Sequence, residues 1–227
     1  MNTIYLFSGI GCSRAVFDRL TFPPGYRVRH VSWQEPRQGE GLREYCARLV
    51  SGVVFDGSDV LVGVSFGGMA AMEVARAHPQ VEKVILLSSA VDVSEYAGVF
   101  RWYGALKLYG VTPGRLFLGR RLRAWLVTGR MRRRDAEAAE RFFAPLSARY
   151  FRFAVRACLT FEGADRALLR RIWRIHGHRD ALFPVRRLVS PAEDVDGATH
   201  LMVYTHGREV SRLLDRIIRG RGCRSGW

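Results

Sequence analysis

Residues 59–75, Asp59-Val60-Leu61-Val62-Gly63-Val64-Ser65-Phe66-Gly67-Gly68-Met69-Ala70-Ala71-Met72-Glu73-Val74-Ala75, constrain the fold more than any other stretch of the chain. Val60 to Val64 form an uninterrupted aliphatic run, the composition of a strand buried on both faces. Met69 to Ala77 are good helix formers with an apolar face. A strand that passes straight into a helix must turn sharply, and the residue at the apex adopts a strained conformation. Gly63 and Gly67 lack Cβ atoms, so strand and helix can approach closely around Ser65. The turn would lift the Ser65 hydroxyl to the carboxyl edge of a parallel sheet, beside the free backbone N–H groups of the helix start. Gly-x-Ser-x-Gly alone is weak, since this glycine and serine content produces it by accident in about one chain in eight. An ordinary serine in a glycine-rich turn is the competing reading. The strand before it and the helix after it are the context a nucleophile requires.

The remainder of the chain alternates in the same way. Thr3 to Phe7 reads as a first buried strand, and Arg14 to Leu20 as a helix capped by Ser13. Tyr26 to Trp33 suggests a second strand, and Gly41 to Val50 an amphipathic helix with Leu42, Tyr45, Cys46 and Leu49 on one face. Val81 to Ser88 is a further buried strand. Strands alternating with helices predict an α/β fold with a mostly parallel sheet and right-handed crossovers. The rhythm changes after Ala90: from about Tyr96 to Gly163 only helical, aromatic-rich stretches occur, too long for one crossover. This segment, residues 92–163, is expected to be a helical cap inserted in a single domain spanning 1–227; two ordinary crossover helices are the alternative. The sheet resumes at Arg171 to Gly177, with a short strand near Glu193 to Val195 and an amphipathic closing helix from Arg208 to Arg219. About six strands result. Gly220 to Trp227 reads as a disordered tail.

Composition narrows the function classes. No run of eighteen apolar residues exists, so no transmembrane helix is expected. Met1-Asn2-Thr3 leads directly into a strand without the pattern of a signal peptide, from which a cytoplasmic location is expected. Cys12, Cys46, Cys158 and Cys223 lie far apart with no Cys-x-x-Cys spacing, which suggests free thiols rather than a zinc site or disulfide framework. The formal charge is +15, but of 36 lysines and arginines only Lys83 and Lys107 are lysines. That bias looks more like a GC-rich genome than a phosphate-binding design, and no nucleic-acid motif accompanies it, so no specific nucleic-acid partner is expected. Arg115, Arg120, Arg121, Arg123, Arg130, Arg132, Arg133 and Arg134 fall in the cap. They are read as a solvated helix face, with weak contact to an anionic membrane or an acidic substrate as the other reading.

A serine hydroxyl is a poor nucleophile without an adjacent base that is itself oriented by an acid. Asp180 follows the strand ending at His176-Gly177, and His200 lies in a glycine-led loop after the next strand, so a parallel sheet would bring both to the edge that carries Ser65. The order Ser65, Asp180, His200 is the one expected of this architecture. On Gly63-Val64-Ser65-Phe66-Gly67-Gly68, His176-Gly177-His178-Arg179-Asp180-Ala181-Leu182-Phe183-Pro184 and Gly197-Ala198-Thr199-His200, the chain resembles the α/β-hydrolase family. It is most similar to short, largely uncharacterised esterase- and lipase-like members that begin at the oxyanion-hole strand. The resemblance covers nearly the whole chain and is poorest in the cap.

The resemblance implies that Ser65 is the nucleophile, His200 the general base and Asp180 the residue that orients it. It also implies an oxyanion hole made by the backbone N–H groups of Phe66 and Ile10, with no cofactor and no metal. Many relatives have His-Gly in the loop after the first strand, where this chain has Ser8-Gly9-Ile10-Gly11, so support of that loop by a histidine side chain is lost. Asp92, after the strand that precedes the cap, is the rival acid, and His206 the rival base. His176 and His178 read as structural or solvent-facing, and a His178–Asp180 metal pair lacks a third ligand nearby. Ser13 is read as packing the loop. The expected activity is hydrolysis of esters or thioesters with small to medium hydrophobic acyl groups. A non-catalytic pocket on the same fold, an acyltransferase or lyase using the same three residues, and a basic membrane-associated protein stay open.

Overall fold

The computed structural model describes residues 2–110, 142 and 147–220. Six parallel strands form one sheet: β1 (Thr3–Phe7), β2 (Arg27–Val31), β3 (Val60–Val64), β4 (Lys83–Leu87), β5 (Ile172–Gly177) and β6 (Glu193–Val195), in the order β2-β1-β3-β4-β5-β6. The helices are α1 (Leu42–Leu49), α2 (Phe66–Ala77), α3 (Gly98–Ala105), α4 (Ala148–Leu159), α5 (Arg166–Leu169), α6 (Met202–Thr205) and α7 (Gly207–Ile218). The alternation expected from the sequence is therefore present, and the sheet is parallel throughout.

Side chains of a strand point alternately to opposite faces, and both faces here are covered. Tyr5, Phe7, Leu61 and Leu86 pack with Tyr45 of α1, Met69 and Met72 of α2, and Tyr150 and Ala154 of α4. Ile4, Leu6, Val60, Val62, Ile85 and Leu87 pack on the other side with Val16, Leu201, and Val210, Leu214 and Ile217 of α7. The edge strand β2 is exposed and carries Arg27 and Arg29, charges that discourage further strand pairing.

The order of the strands places the site. The chain leaves β1 for the outer β2, then crosses back to β3 on the other side of β1. The connections after β1 and β3 thus part in opposite directions, which opens a crevice at the carboxyl ends of these two strands. The Ser8–Cys12 loop and Ser65 stand there.

Of the expected cap, α3 and α4 are described; residues 111–141 and 143–146, with the eight cap arginines, lie outside the described residues, as do Cys223 and the tail from 221. The helix α4 buries Tyr150, Phe151, Ala154 and Ala157 in the same cluster as α1 and α2. Cys12, Cys46 and Cys158 are free thiols. The expected helix over 14–20 is only a 3-10 turn at Arg14–Phe17, with Ser13 capping Ala15 N–H. No helix among the described residues is long and apolar enough to cross a membrane.

One polar tie crosses this core. Arg174 in β5 is 3% exposed and Glu95, in the turn after β4, is fully buried. The guanidinium donates to both Glu95 carboxylate oxygens at 2.7 and 2.8 Å, to Ser190 Oγ at 2.7 Å and to the Ser89 carbonyl at 2.9 Å. Glu95 also accepts from the Val91 and Val189 N–H groups. Removing one partner strands the other charge in the interior. Glu95→Ala is expected to lower the free energy of unfolding by about 3–5 kcal/mol, read as a fall in the urea midpoint at unchanged slope.

Candidate active site

Ser65 occupies the junction of β3 and α2 with φ 54° and ψ −123°, a conformation that a residue with a side chain rarely adopts. Two glycines make the turn possible. A Cβ on Gly63 would fall on the backbone of Gly67 and Gly68, and one on Gly67 would fall on the Phe7 and Ser8 carbonyls of β1 and its loop. The turn is pinned on all sides: Ser65 N–H donates to the Leu87 carbonyl of β4 at 3.0 Å, and its own carbonyl accepts from Gly68 N–H at 2.9 Å and Ser89 Oγ at 2.7 Å.

Three residues expected from the sequence come together. Ser65 Oγ lies 3.0 Å from His200 Nε2, and His200 Nδ1 lies 2.8 Å from Asp180 Oδ2. Asp180 and His200 are buried. The other carboxylate oxygen, Oδ1, accepts from the Leu182 and Phe183 N–H groups at 2.8 and 3.1 Å, a local Asp-turn that fixes the carboxylate plane. Burial alone pushes the Asp180 carboxyl up, but the His200 charge and the hydrogen bonds from His176 and His200 outweigh it and hold the group well below the ordinary carboxylate range. An ionised carboxylate only accepts, so the hydrogen of this pair belongs to His200 Nδ1, and Nε2 is the ring nitrogen that faces the Ser65 hydroxyl. The Phe183 ring packs edge-on against the imidazole of His200 at 5.4 Å.

The rival residues are engaged elsewhere. Asp92 accepts from Ser94 N–H at 2.8 Å and caps the turn after β4. His206 pairs with Thr205 Oγ1 at 2.9 Å. Exposed His178 pairs with Asp194 rather than Asp180, and that hydrogen bond raises its pKa. His176, read from the sequence as structural or solvent-facing, is buried beside Asp180, with Nε2 at 3.4 Å from Oδ2.

The loop after β1 runs beside Ser65: a Cβ on Gly9 would sit 3.7 Å from that of Ser65. Phe66 is the first residue of α2, directly after Ser65, and the first N–H groups of a helix have no partner within it. The loop is braced without a histidine. Ser8 Oγ donates to the Cys12 carbonyl at 2.6 Å, Cys12 N–H to the Gly9 carbonyl at 3.0 Å, and the Trp33 indole N–H to the same Gly9 carbonyl at 3.1 Å. Trp33 in turn packs against Phe66 and Tyr150, with ring centroids 5.1 and 6.3 Å apart. Sequence reasoning missed Trp33. Its only signal was a lone tryptophan just past an otherwise charged edge strand.

The model of the alpha/beta hydrolase family matches residues 4–220. The chain belongs to that family. None of the curated proteins matches it. Among solved structures it is similar to a thermophilic esterase from Thermogutta terrifontis, at 15% identity and a TM-score of 0.70, covering 98% of this chain and 91% of that one. It is also similar to an esterase from Exiguobacterium antarcticum, at 13% identity, a TM-score of 0.68, and 96% and 92% coverage. A bromoperoxidase from Bacillus anthracis matches at 16% identity with a TM-score of 0.64, over 96% of this hydrolase and 91% of that chain. At such identities the likeness is one of fold.

The depressed Asp180 carboxyl makes a stability prediction. A group whose pKa is lower in the folded state stabilises the fold above its unfolded value and loses that contribution as the pH falls toward its folded one. The stability gap between the native hydrolase and Asp180→Asn, taken from urea midpoints, is expected to be widest at neutral pH and to narrow below about pH 4.

Proposed function

We propose that this hydrolase is a serine enzyme that cleaves carboxylic esters or thioesters carrying a small to medium hydrophobic acyl group. The observation that carries the reading is the unbroken line of hydrogen bonds from Ser65 Oγ through His200 to Asp180, at 3.0 and 2.8 Å, beginning on a strained strand-to-helix turn. A structural serine needs neither that backbone strain nor a buried imidazole oriented by a carboxylate.

In the proposed reaction His200 Nε2 takes the Ser65 proton as Oγ bonds to the substrate carbonyl carbon. The carbonyl electron pair moves to oxygen, and the oxyanion is held by the N–H groups of Phe66 and Ile10. Collapse breaks the bond to the leaving alcohol or thiol, which takes the proton from His200. Water then enters, gives a proton to His200, and attacks the acyl carbon. The second tetrahedral species expels Ser65, reprotonated by His200, and frees the carboxylic acid. Throughout, Asp180 stays ionised and stabilises the imidazolium. Ile10 and Trp33, partly buried against the apolar cluster, offer a hydrophobic surface to the acyl group.

A panel of p-nitrophenyl esters of increasing acyl length, with fluorophosphonate labelling, tests the reading. Ser65→Ala is expected to lower turnover by several orders of magnitude and to abolish labelling, with the fold retained. Equal activity in both proteins overturns it. Trp33→Phe keeps the aromatic packing and removes the indole N–H from the Gly9 carbonyl. It is expected to lower kcat about tenfold at unchanged KM, less than the ~100-fold cost of losing an oxyanion donor itself.

A further inference from the structure

Asp180 has two histidines beside it, and the proposed reaction uses only one. His176 lies within β5, and its ring is 1% exposed. Its Nε2 is 2.8 Å from the Phe183 carbonyl and 3.4 Å from Asp180 Oδ2, the oxygen that also faces His200. A carbonyl oxygen only accepts, so Nε2 carries a hydrogen. Its hydrogen bond is to the Phe183 carbonyl, and the Asp180 carboxylate stands 3.4 Å from the same nitrogen. At the other side of the ring Nδ1 is buried and has no hydrogen-bond partner among the described residues. A buried polar atom left unpaired is costly, so what holds the ring in place is its other nitrogen.

What Nε2 holds is the turn that presents the acid. Phe183 touches three members of this group. Its N–H donates to Asp180 Oδ1 at 3.1 Å, its carbonyl accepts from His176, and its ring packs edge-on against His200 at 5.4 Å. Asp180 itself lies beyond the end of β5, in the loop, whereas His176 sits inside the hydrogen-bonded strand. The His176 Nε2–H therefore fastens the loop to the sheet at the point where the carboxylate is aimed. We propose that His176 is a positioning residue: through Phe183 and Asp180 Oδ2 it fixes the carboxylate in the plane that His200 requires, without touching substrate. This rests on the assignment of His200 as the base.

Two experiments test it. In the native protein, the nitrogen shifts of His176 are expected to show the Nε2–H form, and the His200 Nδ1 proton a downfield resonance; both readouts are independent of esterase activity. A His176 ring protonated on Nδ1 alone would overturn the proposal even if no variant folds. In the second, His176→Leu removes the donor, and His176→Gln restores an N–H at the same reach. The leucine variant is expected to lose the downfield proton or shift it markedly. It is also expected to lower kcat and fluorophosphonate labelling rate at least tenfold at nearly constant KM, with the glutamine variant recovering most of both. A leucine variant with the native resonance and native kcat, or a loss matched by its unfolded fraction and not rescued by glutamine, refutes it. Should Ser65→Ala retain full activity, the functional reading fails while the resonance results still decide the role of His176.

Discussion

The backbone at Ser65 is held in a conformation it would not choose, and the remainder of the site is arranged around that fact. A residue at φ 54°, ψ −123° costs about 1–3 kcal/mol relative to a relaxed one. Against this stand three hydrogen bonds to its own peptide groups, from β4, from the first turn of α2 and from Ser89. At about 1 kcal/mol net each, they are of the same size as the strain. The turn is thus over-determined by its neighbours rather than by its own preferences. It can form only because Gly63 and Gly67 let β1, β3 and α2 meet at backbone distance.

The same economy of means extends to the loops. Arg174 and Glu95 form a charged pair in the interior, where desolvation offsets much of the attraction. Their geometry suggests a positional role as much as a stabilising one. The guanidinium reaches the Ser89 carbonyl, and the Ser89 hydroxyl reaches the Ser65 carbonyl. Glu95 collects the Val91 and Val189 amides. One buried pair therefore ties the middle of β5, and the loops that follow β4 and β5, to the turn carrying the serine.

Much of this was legible in the sequence because it is written in local patterns. The aliphatic run Val60–Val64 and the short strand Glu193–Val195 are found as expected. The start of α2 was hidden: it begins at Phe66, but Gly67 and Gly68 are poor helix formers, and the readable pattern starts at Met69. The helix expected over 14–20 stops at Phe17 because the chain is drawn away to α7, where Ser211 Oγ accepts from Thr21 N–H. The four-residue helices α5 and α6 are too short to show a period. Ser65, Asp180 and His200 could be picked out because each follows a strand in the expected order. Trp33, Ser89 and His176 could not: each acts on a partner at least seven residues away through one hydrogen bond, and nothing nearby marks the partner. Arg174 left a faint trace, a single charge within Ile172-Trp173-Arg174-Ile175.

Topology decides where polarity can survive in such a fold. A parallel sheet covered on both faces leaves little room for unpaired polar side chains along its strands, and here Ile4–Phe7 of β1, all of β3 and Val84–Leu87 of β4 are aliphatic or aromatic. Apart from Arg174 and His176 within β5, the polar groups of the site stand at the carboxyl ends, where the strands stop and loop amides become available as partners. Ser65 follows β3, Asp180 follows β5 and His200 follows β6, so the three meet although 135 residues separate serine from histidine. Arg27 and Arg29 of the outer strand β2 are exposed. The buried polar groups at this edge survive because their partners are at hand: Ser65, His200 and Asp180 serve one another, and Arg174 serves Glu95.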